Sequence, residues 1–167
     1  MNPTPTRTGN DPLSARARAL AATFLLQWSA TEPPVPDALV NLCGPVCVLP
    51  AHLPVGAVGT LFREPPFGSI IWLRKDEPPE ARRLAAFHHM GHLALHPEIL
   101  FCTMRGIADL PTEQEADSFA RALLMPDRWL KRDVKEMELD LGALAKRYDV
   151  PHEAMAVRLR ELGLLSA

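Results

Sequence analysis

The chain has 167 residues, 47% hydrophobic and 23% charged, with a formal net charge of -2. That length suits one domain, or one domain with a small appendage, and is enough to bury a real core. The near-neutral balance excludes a global pull toward nucleic acid or anionic membrane, and no run approaches the ~18 apolar residues that cross a bilayer.

Residues 1–11 are polar and proline-bearing and read as a flexible tail. Asp11-Pro12 reads as a cap followed by proline at the first helical position, opening a helix over 12–28. Arg16 and Arg18 before ALAATFLLQW faintly mimic a signal peptide, but the cap favours an amphipathic first helix. The segment TEPPVP breaks that helix, and residues 37–42 predict a short second one.

The middle of the chain changes character. Val46 to Leu49, Gly59 to Phe62 and Ser69 to Arg74 are short apolar or β-prone runs, with REPPFG as a turn before the last. A small antiparallel sheet is the natural arrangement. Pro78-Pro79-Glu80 then starts a helix that should run to about His96. Residues 97–111 read as a loop, Thr112 opens another helix ending near Met125-Pro126, and Pro126 begins a further helical stretch. Residues 139–165 read as two short helices broken at Asp149-Val150-Pro151, a helix-turn-helix-like outline.

The expected fold is therefore α+β: a mainly helical domain over 12–130 with a small sheet, and a helical segment over 131–167 packed on it. Cys43, Cys47 and Cys102 are an odd number of thiols, which argues against a disulfide scaffold and for a reducing cytoplasm. The spacing of Cys43 and Cys47 is neither CxxC nor a zinc-knuckle pattern, so they read as buried structural thiols.

The chemistry is concentrated in FHHMGHLALHP, residues 87–97, which holds four of the six histidines. At about 100° per residue, His88 and His92 lie about 40° apart on one helix face. Imidazoles at that spacing can converge on one ion, and Zn²⁺ favours nitrogen ligands at about 2.0–2.1 Å. His96 extends the same line, but eight residues rise about 12 Å, so it reads instead as a helix C-terminal residue. A third ligand is offered by the next helix. There Glu113 projects about 50° from the centre of the apolar stripe and Glu115 about 110° away. Glu115, the third residue after Thr112, is placed to close a capping box. Asp117, one turn beyond Glu113, could accept the free N–H of a ligand imidazole. Spacing alone leaves a second reading open, in which the histidines are core side chains and the acids are partners of the helix dipole.

RRLAAFHHMGHLALHP followed by EQEADSFARALLMP resembles the ImmA/IrrE metallopeptidase family, whose members carry an HExxH helix in a phrase like FTLAHELGHLLLH and then ExEAxxFAxxLLMP. VGTLF and SIIWLR are similar to its strands, and LGALAKRYDVPHEAMAVRLRELGLL to its closing helical segment, so the likeness spans about residues 13–165. The resemblance implies a zincin-like fold, a zinc ion held by His88, His92 and Glu113, and a regulatory protein, such as a transcriptional repressor, as substrate or partner. The family's general-base glutamate falls on His89, where this chain departs from the pattern. An imidazole of ordinary pKa about 6.5 is basic enough in principle, but losing a positioned base typically costs about 10²–10⁴-fold. Three readings follow: a peptidase using His89 or another base, a metal-binding pseudo-enzyme, and a metal-free scaffold. Direct DNA binding is disfavoured, because residues 127–161 hold eight Lys/Arg against eight Asp/Glu.

Overall fold

The computed structural model describes residues 12–104 and 110–166. The tail and the Asp11 cap lie outside them. Helix α1 (Pro12–Gln27) buries Ala17, Ala21 and Phe24, a stripe at helical spacing. It packs along α3 (Pro111–Leu124), with Phe24 edge-on to Phe119 at 5.8 Å between ring centroids. A 3₁₀ turn, Asp37–Cys43, stands where the short second helix is expected.

Strands β1 (Val46–Ala51), β2 (Gly59–Glu64), β3 (Gly68–Arg74) and β4 (Phe101–Met104) form one sheet in the order β1-β3-β2-β4. It is mixed rather than wholly antiparallel: β2 pairs antiparallel with β3 and β4, but β1 runs parallel to β3. The hairpin turn sets β3 beside β2, and β4 takes the other edge of β2. The remaining edge of β3 then receives β1, which runs opposite to β2 and so alongside β3 in the same sense. Pro50 is tolerated in β1 because that strand lies at an edge. Strand β4 falls inside the segment expected to be loop. Four residues show too little alternation to announce a strand, and it forms on an edge that β2 presents.

One sheet face carries Leu61, Ile71 and Leu73 into the core beneath α2 (Pro79–Leu95). Residues Met90, Phe119, Leu123 and Leu124 continue that core between the helices. Cys47, expected to be buried, is exposed on β1, while Cys43 is half-buried and donates its thiol toward Met90 O at 3.8 Å. Among the described residues no helix is long and apolar enough to cross a membrane.

Helices α4 (Asp127–Glu136), α5 (Leu141–Tyr148) and α6 (His152–Glu161) complete the chain. The break between α5 and α6 is made by Asp149 in the left-handed region at φ 53°, followed by Pro151. Leu144, Tyr148, Met155 and Leu159 are buried at 0% exposure and join the common core. Two charged side chains here are buried. Arg158 is buried, donates to Met125 O and Glu161, and pairs with Asp127. Asp133 is also buried and accepts from Arg132, Arg147 and the Tyr148 hydroxyl at 2.7–3.0 Å.

Burial alone would raise the Asp133 carboxyl, but the hydrogen bonds from Arg132, Arg147 and Tyr148 reverse that and hold it below its ordinary value. A depressed carboxyl contributes stability above the unfolded pKa of about 3.9, which is lost as the pH falls through the folded value. Both arginines are partly exposed, which limits the size of the effect. Asp133→Ala should therefore cost about 1–3 kcal/mol at neutral pH, and the difference from wild type should shrink as the pH falls below about 4. Urea melts across that range measure it.

Candidate metal centre

The histidines of α2 and the carboxylates of α3 meet because the two helices approach unusually closely. A Cβ on Gly91 would lie 3.0 Å from Ala116 Cα and 3.1 Å from Ala116 O, with Phe119 Cδ1 at 3.2 Å. Glycine thus lets the α2 backbone approach the α3 backbone a few tenths of an ångström more closely than a side chain at position 91 would. The helices run in opposite senses, so His88 meets Asp117 and His92 meets Glu113.

The atoms that converge are nitrogens and carboxylate oxygens. His88 Nε2 stands 3.1 Å from Glu113 Oε2 and 3.1 Å from His92 Nε2, which in turn lies 3.2 Å from Glu113 Oε1. These residues form a three-residue cluster whose candidate ligand atoms all lie within 4.8 Å of one another. His88 Nδ1 donates to Asp117 Oδ1 at 2.7 Å, the contact that the spacing of Asp117 anticipated. If neutral, His88 then presents a bare lone pair from Nε2. Two imidazole nitrogens and a carboxylate therefore face one point, an arrangement that a shared proton or a cation between them would satisfy.

The electrostatics agree. Burial opposes charge on His88, but hydrogen bonds to Asp117 and Glu113 more than offset it and lift the imidazolium to about 9. The hydrogen bond from His88, then the nearness of His92, holds Glu113 far below the carboxylate range. His92 is lowered, chiefly by burial, and so stays neutral, as a metal ligand must. Without a metal the site thus draws a proton into the place of a cation. Two ligands of a tetrahedral zinc lie roughly 3.3–3.4 Å apart at bond lengths of about 2.0–2.1 Å. The observed separations of 3.1–3.2 Å are close to that, so the donor set fits a zinc ion.

His89 stands apart from this set. It is fully buried, with Nδ1 3.4 Å from Cys102 Sγ on β4. Its Nε2 lies against the Gly59 backbone of β2 without well-aligned hydrogen-bond geometry, 2.8 Å from where a Cβ on Gly59 would be. Burial, then the neighbouring His88 and His92, push its pKa well below the ordinary value, so the ring is neutral. Burial likewise pushes the Cys102 thiol up to about 12, aided by Glu113, so it remains a thiol.

One sequence assignment is corrected, that of Glu115, and the expected helix-end place of His96 holds with a further contact added. Helix α3 begins at Pro111, whose ring presets the helical φ, with Leu110 before it. Thr112 is therefore inside the first turn, and Glu115 closes no capping box. Glu115 is instead buried, with Oε2 3.0 Å from His96 Nε2. His96 does follow the last turn of α2, but its ring is buried too and its Nδ1 lies 3.1 Å from His92 Nδ1. The signal for both was the line 88, 92, 96 and the alternation 113, 115, 117, visible only as pairs once the helices are juxtaposed.

The IrrE N-terminal-like domain family, peptidase M78, matches residues 50–160, from β1 to the end of α6. The chain belongs to this family. No curated protein is similar enough in sequence to count as a relative. Among solved structures, a Mycobacterium tuberculosis transcriptional regulator is similar at a TM-score of 0.65 and 16% identity, covering 87% of this chain and 46% of that one. At that identity the likeness concerns the fold, and the chain spans about half the length of the regulator.

Gly59 and His89 form a size-matched pair. Gly59→Ala should lose about 1–3 kcal/mol through the clash with the imidazole, and most of the loss should vanish in a His89→Ala background. A double-mutant cycle by urea denaturation measures the coupling; simple additivity would mean that the alanine meets something other than His89.

Proposed function

We propose that the chain is a zinc-binding, non-cleaving IrrE-like protein that works by binding a regulatory protein. The observation that carries this reading is the place of His89. The position of the general base holds a neutral imidazole sealed beneath β2 and β4, against Gly59 and Cys102, rather than a group converging with His88, His92 and Glu113. A general base has to reach the proton it removes. The burial of His88 and His92, at 2% and 0% exposure, points the same way, since catalytic zinc sites keep an open position.

His88 and His92 would hold the ion through Nε2 and Glu113 through its carboxylate, with Asp117 orienting His88. Bound zinc would supply Lewis acidity and a cross-link between α2 and α3. The chain's own residues contribute the rest: Asp117 fixes a tautomer, Gly91 admits the second helix, and Cys102 and Gly59 enclose His89. The regulatory partner is supported by the fold of the transcriptional regulator and by the sheet. Strand β4 is an edge with Phe101 63% exposed beside Phe62, a surface suited to an added strand.

Two measurements test the proposal. Purified protein should carry about one zinc per chain, lost in His88→Ala and in Glu113→Ala; metal analysis finding none at saturating zinc would sink the metal reading. Wild type should leave candidate repressor proteins uncut while binding them. Activity in the wild type that matches or exceeds that of His89→Glu would overturn the non-cleaving assignment.

A further inference from the structure

Each of the two α2 histidines in the cluster makes a hydrogen bond through Nδ1, but only His88 reaches a carboxylate directly. His92 Nδ1 faces a second imidazole, His96 Nδ1, at 3.1 Å. Two ring nitrogens at that distance share one proton: one donates and the other must be bare. The far side of His96 decides which. Its Nε2 lies 3.0 Å from Glu115 Oε2, and a carboxylate can only accept, so His96 carries its proton on Nε2. Its Nδ1 is then the acceptor, His92 donates from Nδ1, and the Nε2 of His92 is left as a lone pair that accepts from His88 Nε2 at 3.1 Å beside the Glu113 carboxylate.

We infer that His96 and Glu115 are positioning residues for the metal, a buried relay that sets the tautomer of His92 through one intervening imidazole. The inference rests on the metal-binding reading above. Its three members are all at most 3% exposed, so no water competes for these protons at the surface. Glu115 is anchored from outside. Arg16 of α1 stands 3.5 Å from Glu115 Oε1, an ion pair without hydrogen-bond alignment, and donates to Leu95 O at 3.0 Å. Arg63 of β2 donates to His92 O at 3.1 Å and Pro97 O at 3.2 Å, holding the same end of α2 from the sheet side. Helix α3 thus provides three carboxylates with three tasks: Glu113 for the ion, Asp117 for His88, and Glu115 for His92 by way of His96. Orienting groups of this kind typically contribute 10–100-fold to metal affinity.

The test uses the full chain. Long-range ¹H–¹⁵N spectra of the zinc-free protein report which nitrogen of each imidazole is protonated. His92 should show Nδ1–H in wild type and a tautomer mixture in Glu115→Leu. In Glu115→Gln the amide oxygen can still accept from His96, so the wild-type pattern should persist. Competition against a zinc chelator should then show affinity weakened about 10–100-fold in Glu115→Leu and in His96→Phe, with Glu115→Gln close to wild type. The phenylalanine variant serves if the leucine variant does not fold. His92 protonated on Nε2 in the wild type overturns the relay, as does zinc affinity unchanged in both variants. Wild type that binds no zinc overturns the metal reading and the relay's role in it together, whereas zinc lost in His88→Ala but unaffected by His96→Phe and Glu115→Leu overturns the relay alone.

Discussion

The contact on which the site depends is the approach of α2 to α3 at Gly91 and Ala116. With a Cβ at position 91 only 3.0 Å from the facing backbone, a side chain there would require the facing helix to give by a few tenths of an ångström. At the separation glycine allows, His88 and His92 come within 3.1–3.2 Å of the Glu113 carboxylate. A shift of an ångström would separate those atoms beyond the reach of a common ion. The apolar neighbours of the contact, Met90, Phe119 and Leu123, are fully buried, so the hydrophobic core supplies the force that holds the polar atoms together.

That closeness also fixes the electrical character of the site. Buried carboxylates next to imidazoles are costly unless the charges balance, and here balance requires one positive charge at the centre. Hydrogen bonds to Asp117 and Glu113 raise the His88 ring against its burial, while burial lowers its neighbours His89 and His92. Adjacent positions on one helix thus have opposite fates, because His88 faces acids whereas His89 faces the underside of a sheet. The same contrast separates a metal-binding role, which needs only the α2–α3 contact, from hydrolysis, which also needs a base directed at the centre.

The IrrE-like fold brings these parts together around a small sheet that is otherwise sparsely used. Its inner face carries core residues and encloses His89, while β1 and β4 leave free edges on either side. Such edges suit recognition of an extended segment. The C-terminal helices, by contrast, bury Arg158 and Asp133, the first paired with Asp127 and the second with the exposed Arg132 and Arg147.

Much of this was legible in the residue order. Helical periodicity placed α1, α2 and α3 to within a few residues, β-prone runs marked three strands, and the i, i+4 spacing selected His88 and His92. Projection of α3 preferred Glu113 and left Asp117 within reach of a ligand ring. These are local properties, set by the geometry of a single element. What only the tertiary structure decided were relations between elements: the parallel pairing of β1 with β3 and the strand β4 in an apparent loop. The pairing of His96 with Glu115 across two helices, and the burial of His89 against Gly59 and Cys102, belong with them. Each depends on residues far apart in the chain whose mutual distance is set by core packing, and no periodicity within one segment carries that information.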